Sequence, residues 1–324
     1  MAKTLPRFGK TPSLQFEHPQ QHTLEGFDRL AAQAKQDHIP PRVALVLAEE
    51  LLSHGHPDTP RATALLRQNP HRDAVALGVR LERCFDELRR QLHVENVDRK
   101  QVVRAYRRDG YLLFESRQKS RKLLVIFTTI FNNFYISHLN LHGMLKSLGC
   151  HLLILKETTL ASYQRGVSGF ASDIPGIAEN IRATARRLGA EQIYVSGFSS
   201  GGYAALQTSL LLPCAGYLGF SQTTDLSPGS PLVRPWYVPD EVYAQLDPRW
   251  LVDLRVVLQD ADPSVPRVLC YGDRTKKDAE HAQHLAGLDT IRLVRLRNAT
   301  HNSIQYLLAK GRLTAAFSSL VGDR

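Results

Sequence analysis

The sequence lacks the segments by which membrane and secreted proteins are recognised. No uninterrupted apolar run is long enough to span a bilayer, and the ten N-terminal residues contain no apolar segment typical of a secretory signal. The four cysteines, Cys84, Cys150, Cys214 and Cys270, have no paired spacing, so we expect small buried core residues rather than disulfides. Free thiols are typical of a reducing compartment. We therefore predict a soluble cytoplasmic protein.

Motifs for common cofactors are missing as well. The chain has neither a Gly-rich phosphate loop of the G-x-x-x-x-G-K-[ST] type nor a dinucleotide fingerprint after a strand. His281 and His284 have the spacing of neighbours on a helix, but the sequence places no carboxylate or cysteine cluster beside them. We therefore predict that the protein uses neither a cofactor nor a metal ion.

The composition is that of a globular protein with a moderate excess of positive charge. The 324 residues are 43% hydrophobic and 22% charged, which is enough for a sizeable core, and there is no internal repeat. Lys and Arg exceed Asp and Glu by 41 − 31 = 10, which favours anionic partners. Because the basic residues are scattered over predicted helix faces, they indicate solvated surface, and no nucleic-acid partner is expected. The sequence does not determine the oligomeric state.

The first third of the chain shows helical periodicity only. Residues 1–20 are rich in Pro, Gln and Lys without any periodic pattern, so we predict a disordered arm there. From residue 21 to residue 105, apolar residues recur at helical spacing, with breaks at Pro40-Pro41 and at Pro60. These patterns predict about four helices that form a small all-α N-terminal region.

Residues 106–324 alternate between short apolar runs and amphipathic segments. Continuous apolar strands separated by amphipathic helices predict an α/β domain whose mostly parallel sheet is covered by helices on both faces. In such sheets, ligands bind at the carboxyl ends of the strands. The predicted strands span residues 111–116, 122–128, 150–155, 192–196, 215–220, 267–271 and 290–296. The predicted helices span residues 136–148, 174–188, 242–258 and 279–285, with two more after residue 199 and from residue 303.

The stretch from residue 193 to residue 206 is the most informative part of the domain. An apolar run turns through Gly197-Phe-Ser199-Ser-Gly201 directly into a segment of good helix formers. The pattern fits G-x-S-x-G, in which a serine lies on a strained turn between a strand and a helix, and a Cβ two residues to either side would crowd that turn. Ser196 and Ser200 each lack one of the two flanking glycines. The spacing therefore selects Ser199.

This stretch resembles the nucleophile elbow of the α/β-hydrolase superfamily, and the resemblance covers about residues 111–324. It implies a serine nucleophile that is followed along the chain by an acid and then by a histidine. A serine is a poor nucleophile unless a base takes its proton, so the histidine is required by the chemistry. Of the 13 histidines, only His301 falls between the last predicted strand and the closing helix. We therefore predict Ser199 as the nucleophile and His301 as the base.

The sequence leaves the acid open between two residues. The superfamily pattern often puts an acid about three residues past Gly272, but this chain has Thr275 there. Asp273 and Asp278 are the candidates on either side, with Asp225 as an outside candidate. The structural alternative is a turn residue at a strand end for Asp273 and a helix N-cap for Asp278. Asp278 is slightly favoured, because the segment Asp-x-x-His-Ala-x-x-Leu resembles hydrolases associated with bacterial surface polysaccharides.

The resemblance also implies an oxyanion hole made of two backbone donors. One is the N–H of the residue after the nucleophile, Ser200, and the other comes from the loop after an early strand, where Thr129 and Ile130 are the positional candidates. This loop lacks the His-Gly-Gly signature of many esterases, so it could also be an ordinary connection. Further along, residues 221–240 are too short for a domain-sized lid, and Trp236 and Tyr237 suggest either an aromatic wall of an open site or surface packing.

Together these features predict a serine hydrolase that cleaves an ester through a Ser-His-Asp triad and an acyl-enzyme. The substrate would be a small-molecule or glycan ester, with an O-acyl group on a glycan as one form. Two alternatives stay open: an acyltransferase with the same triad, and a non-catalytic interaction protein on a hydrolase scaffold. The absence of an acid at the usual position favours the last.

Overall fold

The computed structural model describes residues 24–33, 35, 41–69, 72–92, 103, 110–232, 238 and 240–322. The predicted arm at residues 1–20, the predicted domain boundary between residues 105 and 106, and the aromatic pair Trp236 and Tyr237 lie outside these residues. The chain divides into two compact units, one of Met1–Arg107 and Leu308–Lys310 and the other of Arg108–Leu307 and Gly311–Arg324. Across the described ranges, every helix is too short or too polar to cross a membrane.

Four helices lie within the described part of residues 24–92, as the periodicity predicts: α1 (Leu24–Gln33), α2 (Pro41–His54), α3 (Thr59–Arg67) and α4 (Arg72–Leu92). Proline begins α2 and occupies the first turn of α3, where its missing N–H has no partner to lose. Leu51, Leu81 and Leu88 are fully or almost fully buried. Helices α3 and α4 lie close together, because a Cβ added at Gly78 would be 3.0 Å from the Leu66 Cβ.

The second unit contains a seven-stranded sheet of β1 (Tyr111–Phe114), β2 (Lys122–Phe127), β3 (His151–Leu155), β4 (Gln192–Phe198), β5 (Cys214–Phe220), β6 (Arg267–Gly272) and β7 (Arg292–Leu296). The strand order is β1-β3-β2-β4-β5-β6-β7. Strand β1 pairs antiparallel with β3, and all the other pairs are parallel. The predicted mostly parallel sheet is confirmed, and the carboxyl ends of six strands meet at one edge.

Strand burial follows the position in the sheet. The run from Leu123 to Phe127 in β2 is buried at every residue, as expected for a central strand covered on both faces. In β5, neighbouring residues point to opposite faces: a Cβ added at Gly216 would be 2.9 Å from Leu320, whereas the Tyr217 hydroxyl donates to the Gly202 carbonyl. These two contacts place helices on both faces of the sheet, as predicted.

The helices of this unit are α5 (His138–Leu145), α6 (Ile174–Leu188), α7 (Ser200–Leu210), α8 (Asp240–Tyr243), α9 (Leu254–Gln259), α10 (Lys276–His284), α11 (Ser303–Ala309) and α12 (Leu313–Val321). The prediction of one helix over residues 242–258 is wrong. The chain forms α8, a 3-10 turn at Pro248–Trp250 and α9 instead. Proline interrupts a helix interior, and Asp247 and Asp253 each cap a new start by accepting a backbone N–H.

Candidate active site

Ser199 occupies a strained turn at the carboxyl edge of the sheet. It lies between the end of β4 and the start of α7, with φ 56° and ψ −122°, a conformation that residues with a side chain seldom adopt. Two backbone hydrogen bonds hold the turn: Ser199 N–H donates to the Phe220 carbonyl at 3.0 Å, and Gly202 N–H donates to the Ser199 carbonyl at 3.0 Å. The surrounding β5 and α7 backbone thus keeps Ser199 in this conformation.

The two flanking glycines are required because backbone segments approach closely. A Cβ at Gly197 would lie 2.4 Å from the Gly201 carbonyl oxygen, and one at Gly201 would lie 2.2 Å from the Thr128 carbonyl oxygen. The crowding predicted from the sequence is therefore present. Neither glycine has a positive φ; that conformation belongs to Ser199 itself. The close approach of Gly201 to the Thr128 carbonyl shows that the end of β2 lies against the first turn of α7.

Ser199, His301 and Asp278 form a continuous chain of polar contacts. The His301 Nε2 atom is 3.0 Å from the Ser199 Oγ, and the His301 Nδ1 atom is 2.8 Å from the Asp278 Oδ1. The Asp278 side chain is fully buried, whereas about a third of the His301 side chain is exposed, 34%. The Phe198 ring lies beside the imidazole, with the ring centroids 5.6 Å apart.

These contacts define what the imidazole can do. A carboxylate at Nδ1 accepts a hydrogen bond and so favours the tautomer with its proton there, which leaves the Nε2 lone pair facing the Ser199 hydroxyl. In this arrangement His301 can take a proton from Ser199 while Asp278 stabilises the resulting positive charge. The structure thus brings together three predicted residues that are far apart in the sequence.

Asp273 and Asp225 are engaged elsewhere. Asp273 accepts hydrogen bonds from the Arg295 side chain at 2.9 Å and from the Asn298 N–H at 2.7 Å. Burial acts to raise the pKa of Asp273, but these hydrogen bonds outweigh it and lower the pKa below its usual value. Asp225 accepts from the N–H and the hydroxyl of Ser227. Asp273 therefore holds the loop between β7 and α11.

Asp278 is not the N-cap of its helix, which was the structural alternative. Thr275 occupies the N-cap position of α10, and Asp278 lies in the first turn. The partial positive charge of a helix N-terminus favours a carboxylate there. From this first turn, the Asp278 carboxylate reaches the His301 Nδ1 atom.

The candidate oxyanion donors differ in their existing hydrogen bonds. Ser200 is the first residue of α7, where a backbone N–H has no intrahelical partner. The Thr129 N–H already donates to the Asn133 carbonyl at 3.0 Å, and the Thr129 hydroxyl accepts from the Phe131 N–H at 3.1 Å. Of the two predicted residues in this loop, Ile130 is thus the better candidate.

A second polar cluster lies at the carboxyl end of α10. Asp225, Asp253 and His284 each contribute one potential ligand atom, and these three atoms lie within 4.8 Å of one another. Two carboxylates and an imidazole at this spacing could hold a metal ion. The sequence gives no sign that these three side chains meet, because an isolated bridge brings residues 225 and 253 together in the fold. Asp253 and His284 already serve structural roles, since Asp253 Oδ1 caps α9 and lies 3.2 Å from the His284 Nε2.

Because His281 in α10 is buried, we predict that the folded protein loses stability in acid. Burial lowers the pKa of His281 to about 4, with the nearby positive Lys277 acting in the same direction. In the unfolded chain this histidine binds a proton below about pH 6.5, whereas in the folded protein it binds one only below about pH 4. The free energy of unfolding therefore decreases as the pH falls from about 6.5 to about 4. We expect wild type to lose about 3 kcal/mol more than His281→Gln between about pH 7 and pH 4. Denaturant unfolding measures this, and parallel pH curves for the two proteins would contradict it.

Neither a protein-family model nor a curated protein sequence matches the chain. Solved structures that are similar to it include an esterase of Pyrobaculum calidifontis, at 16% identity over 79% of this chain and 96% of the esterase, with a TM-score of 0.47. MenH of S. aureus has 12% identity over 65% of this chain and 95% of MenH, with a TM-score of 0.43. A hydrolase from Pseudomonas aeruginosa PA01 has 16% identity over 66% of this chain and 94% of its own, with a TM-score of 0.44.

The sheet itself agrees with the fold that the sequence predicted. Six of its strands are parallel, one antiparallel strand lies at an edge, and helices cover both faces. The strand that leads into Ser199 is the fourth in the chain and lies at the centre of the sheet. The second unit therefore has an α/β-hydrolase fold.

Proposed function

We propose that this protein is a serine hydrolase that cleaves an ester through an acyl-enzyme, with Ser199, His301 and Asp278 as its catalytic triad. The observation that supports this most strongly is the pair of contacts at His301, one to the Ser199 hydroxyl and one to the buried Asp278 carboxylate. A histidine that is only part of a polar surface loop is not expected to contact both a serine on a strained turn and a buried carboxylate. The turn at Ser199 is then the nucleophile elbow.

In the first half-reaction, the Ser199 Oγ attacks the ester carbonyl while His301 Nε2 accepts the hydroxyl proton. The carbonyl oxygen becomes negative, and the N–H groups of Ser200 and Ile130 stabilise it. When the C–O bond to the alcohol breaks, His301 gives its proton to the departing oxygen. The acyl group is left on Ser199.

In the second half-reaction, a water molecule takes the place of the alcohol. His301 removes a proton from the water as its oxygen attacks the acyl carbonyl, and returns it to Ser199 as the acid is released. The Asp278 carboxylate stabilises the imidazolium in both halves. Every step uses only side chains and backbone groups of this chain.

A trapped acyl-enzyme tests this proposal. The protein would be mixed with p-nitrophenyl acetate, quenched in acid within the first turnovers and digested for mass spectrometry. We expect one acetyl group on the peptide that contains Ser199, and none on that peptide when His301 is replaced by Ala. Steady turnover of the ester without any acetyl group on Ser199 would contradict the proposal.

The two alternatives to a hydrolase, an acyltransferase and a non-catalytic interaction protein, are not equally well supported. An acyltransferase would use the same residues, with a sugar or another alcohol replacing water in the second half-reaction, and product analysis with and without an acceptor separates the two. A non-catalytic interaction protein was favoured by the absence of an acid three residues past Gly272. The contact between Asp278 and His301 removes that reason, since a carboxylate is supplied from the next helix instead.

An O-acyl group on a glycan is the substrate form that the resemblance of the Asp278 segment suggests. A cytoplasmic location likewise remains a prediction, and it rests in part on the four cysteines, none of which forms a disulfide. A panel of acetylated sugars and short-chain aryl esters, compared by kcat/KM, would distinguish a glycan esterase from an esterase of small esters.

A further inference from the structure

We propose that Tyr163 is a positioning residue that fixes the backbone of the oxyanion loop, residues 128–133, through the carbonyl of Thr128. This inference rests on the proposed function, because it concerns the donor that the loop supplies to the ester oxygen. Tyr163 lies in the loop after β3 and is fully buried. Neither G-x-S-x-G nor the order of serine, acid and histidine points to it.

The Tyr163 hydroxyl lies where two strands end. It is 2.9 Å from the carbonyl oxygen of Leu155, the last residue of β3, and 3.0 Å from the carbonyl oxygen of Thr128, the residue after β2. The Thr128 hydroxyl is a third neighbour at 3.2 Å. One phenol O–H thus serves two carbonyls of adjacent strands, and the Thr128 hydroxyl can donate to the phenol oxygen.

The Thr128 carbonyl lies one peptide group before the proposed oxyanion donor, the Ile130 N–H. It belongs to the same planar peptide group as the Thr129 N–H, which donates to the Asn133 carbonyl and closes the loop. Fixing the Thr128 oxygen therefore fixes the direction of the Thr129 N–H, and through this closed turn the orientation of the Ile130 N–H. The same oxygen also faces the first turn of α7, beside Gly201.

The chain holds Tyr163 in place by an unusual local structure. Leu160, Ser162 and Tyr163 have φ values of 56°, 49° and 66°, a left-handed conformation that non-glycine residues adopt at a cost. The buried Glu157 carboxylate accepts hydrogen bonds from the N–H groups of Thr159 and Tyr163 and keeps the loop closed. Such strain persists only where the surroundings enforce it, and here it delivers a hydroxyl to the Thr128 carbonyl.

A matched pair of variants separates positioning from stability. Tyr203 is also fully buried, and its hydroxyl also contacts two backbone carbonyls, those of Trp250 and Val252. Neither carbonyl belongs to the oxyanion loop. Tyr163→Phe and Tyr203→Phe each remove one buried hydroxyl, so both are expected to lower the melting temperature. Only Tyr163→Phe is expected to lower kcat, by about tenfold or more with KM little changed, because a small displacement of a positioned group costs turnover.

The test compares an aryl acetate with the corresponding aryl thionoacetate, in which sulfur replaces the carbonyl oxygen. Sulfur is larger and accepts hydrogen bonds poorly, so oxyanion donors favour the oxygen ester. We therefore compare the ratio of kcat/KM for the oxygen ester to kcat/KM for the thiono ester. This ratio is expected to fall about tenfold in Tyr163→Phe and to stay at the wild-type value in Tyr203→Phe. Thr128→Val removes only the 3.2 Å contact to the Tyr163 hydroxyl and keeps the side-chain shape. It is expected to lower the ratio less than Tyr163→Phe does, and it replaces that variant in the test if Tyr163→Phe does not fold.

An equal loss on both substrates in Tyr163→Phe, or an equal fall of the ratio in Tyr203→Phe, would overturn the positioning role while leaving the proposed function intact. If wild type instead shows no Ser199-dependent turnover of either substrate, the proposed function fails and this inference fails with it.

Discussion

Replacing Asp278 by Asn is expected to lower kcat on an acetyl ester about 10⁴-fold while the protein stays folded. The amide keeps the shape of the carboxylate but can donate a hydrogen bond to the His301 Nδ1, which favours the tautomer whose Nε2 carries the proton. That tautomer cannot accept a proton from Ser199. The amide also lacks the negative charge that stabilises the imidazolium. Steady-state kinetics measures the loss, and circular dichroism checks the fold.

Asp273→Asn is the matched control for this prediction. Asp273 precedes α10 by three residues, but its carboxylate pairs with Arg295 and the Asn298 N–H instead of the imidazole. Its loss can disturb the loop that leads to His301, so we expect a much smaller decrease in kcat than for Asp278→Asn. If Asp278→Asn retains near-normal turnover, the acid has been assigned wrongly. If Asp273→Asn is the more damaged of the two, the loop matters more than the hydrogen bond at Nδ1.

Replacing Ser199 by Ala is expected to lower kcat by about 10⁶-fold, because removing the nucleophile of a triad disables its base and its acid together. Alanine keeps the Cβ, so the positive φ at this position costs the same in both proteins and the fold should survive. Hydrolysis of p-nitrophenyl acetate, followed by the absorbance of the released phenol, measures the effect.

Ser196→Ala provides the comparison for this variant. Ser196 lies three residues earlier on β4, is fully buried, and donates its hydroxyl to the Leu218 carbonyl at 2.7 Å. Its replacement should cost about 1 kcal/mol of stability and leave kcat close to that of wild type. Comparable turnover by the Ser199 and Ser196 variants would mean that the strained turn holds a structural serine.

Much of the fold follows from local patterns in the sequence. The buried strands are continuous apolar runs, and the structure places each of the seven predicted strands within a few residues of its expected bounds. The choice of Ser199 likewise follows from local sterics, because two glycines at fixed distances from one serine match two close backbone approaches. Such features depend on neighbours in the chain, which a single sequence displays directly.

The remaining features depend on contacts between distant segments. Asp273 and Asp278 follow the same strand, and only the path of the loop decides that one pairs with Arg295 and the other with His301. The broken helix around Pro248 could have been predicted from the proline, but the apolar residues on either side have helical spacing. Tyr163 has no sequence signal, because its role depends on where β2 and β3 end relative to each other.

Labelling by a fluorophosphonate tests the central claim most directly, because the reagent reacts far faster with a serine that a neighbouring base has activated than with other side chains. The account predicts one label per wild-type chain, on the peptide that contains Ser199, with no label on Ser199→Ala and much slower labelling of Asp278→Asn than of Asp273→Asn. Equal labelling of wild type and Ser199→Ala, or no labelling of a folded wild-type protein, would contradict it.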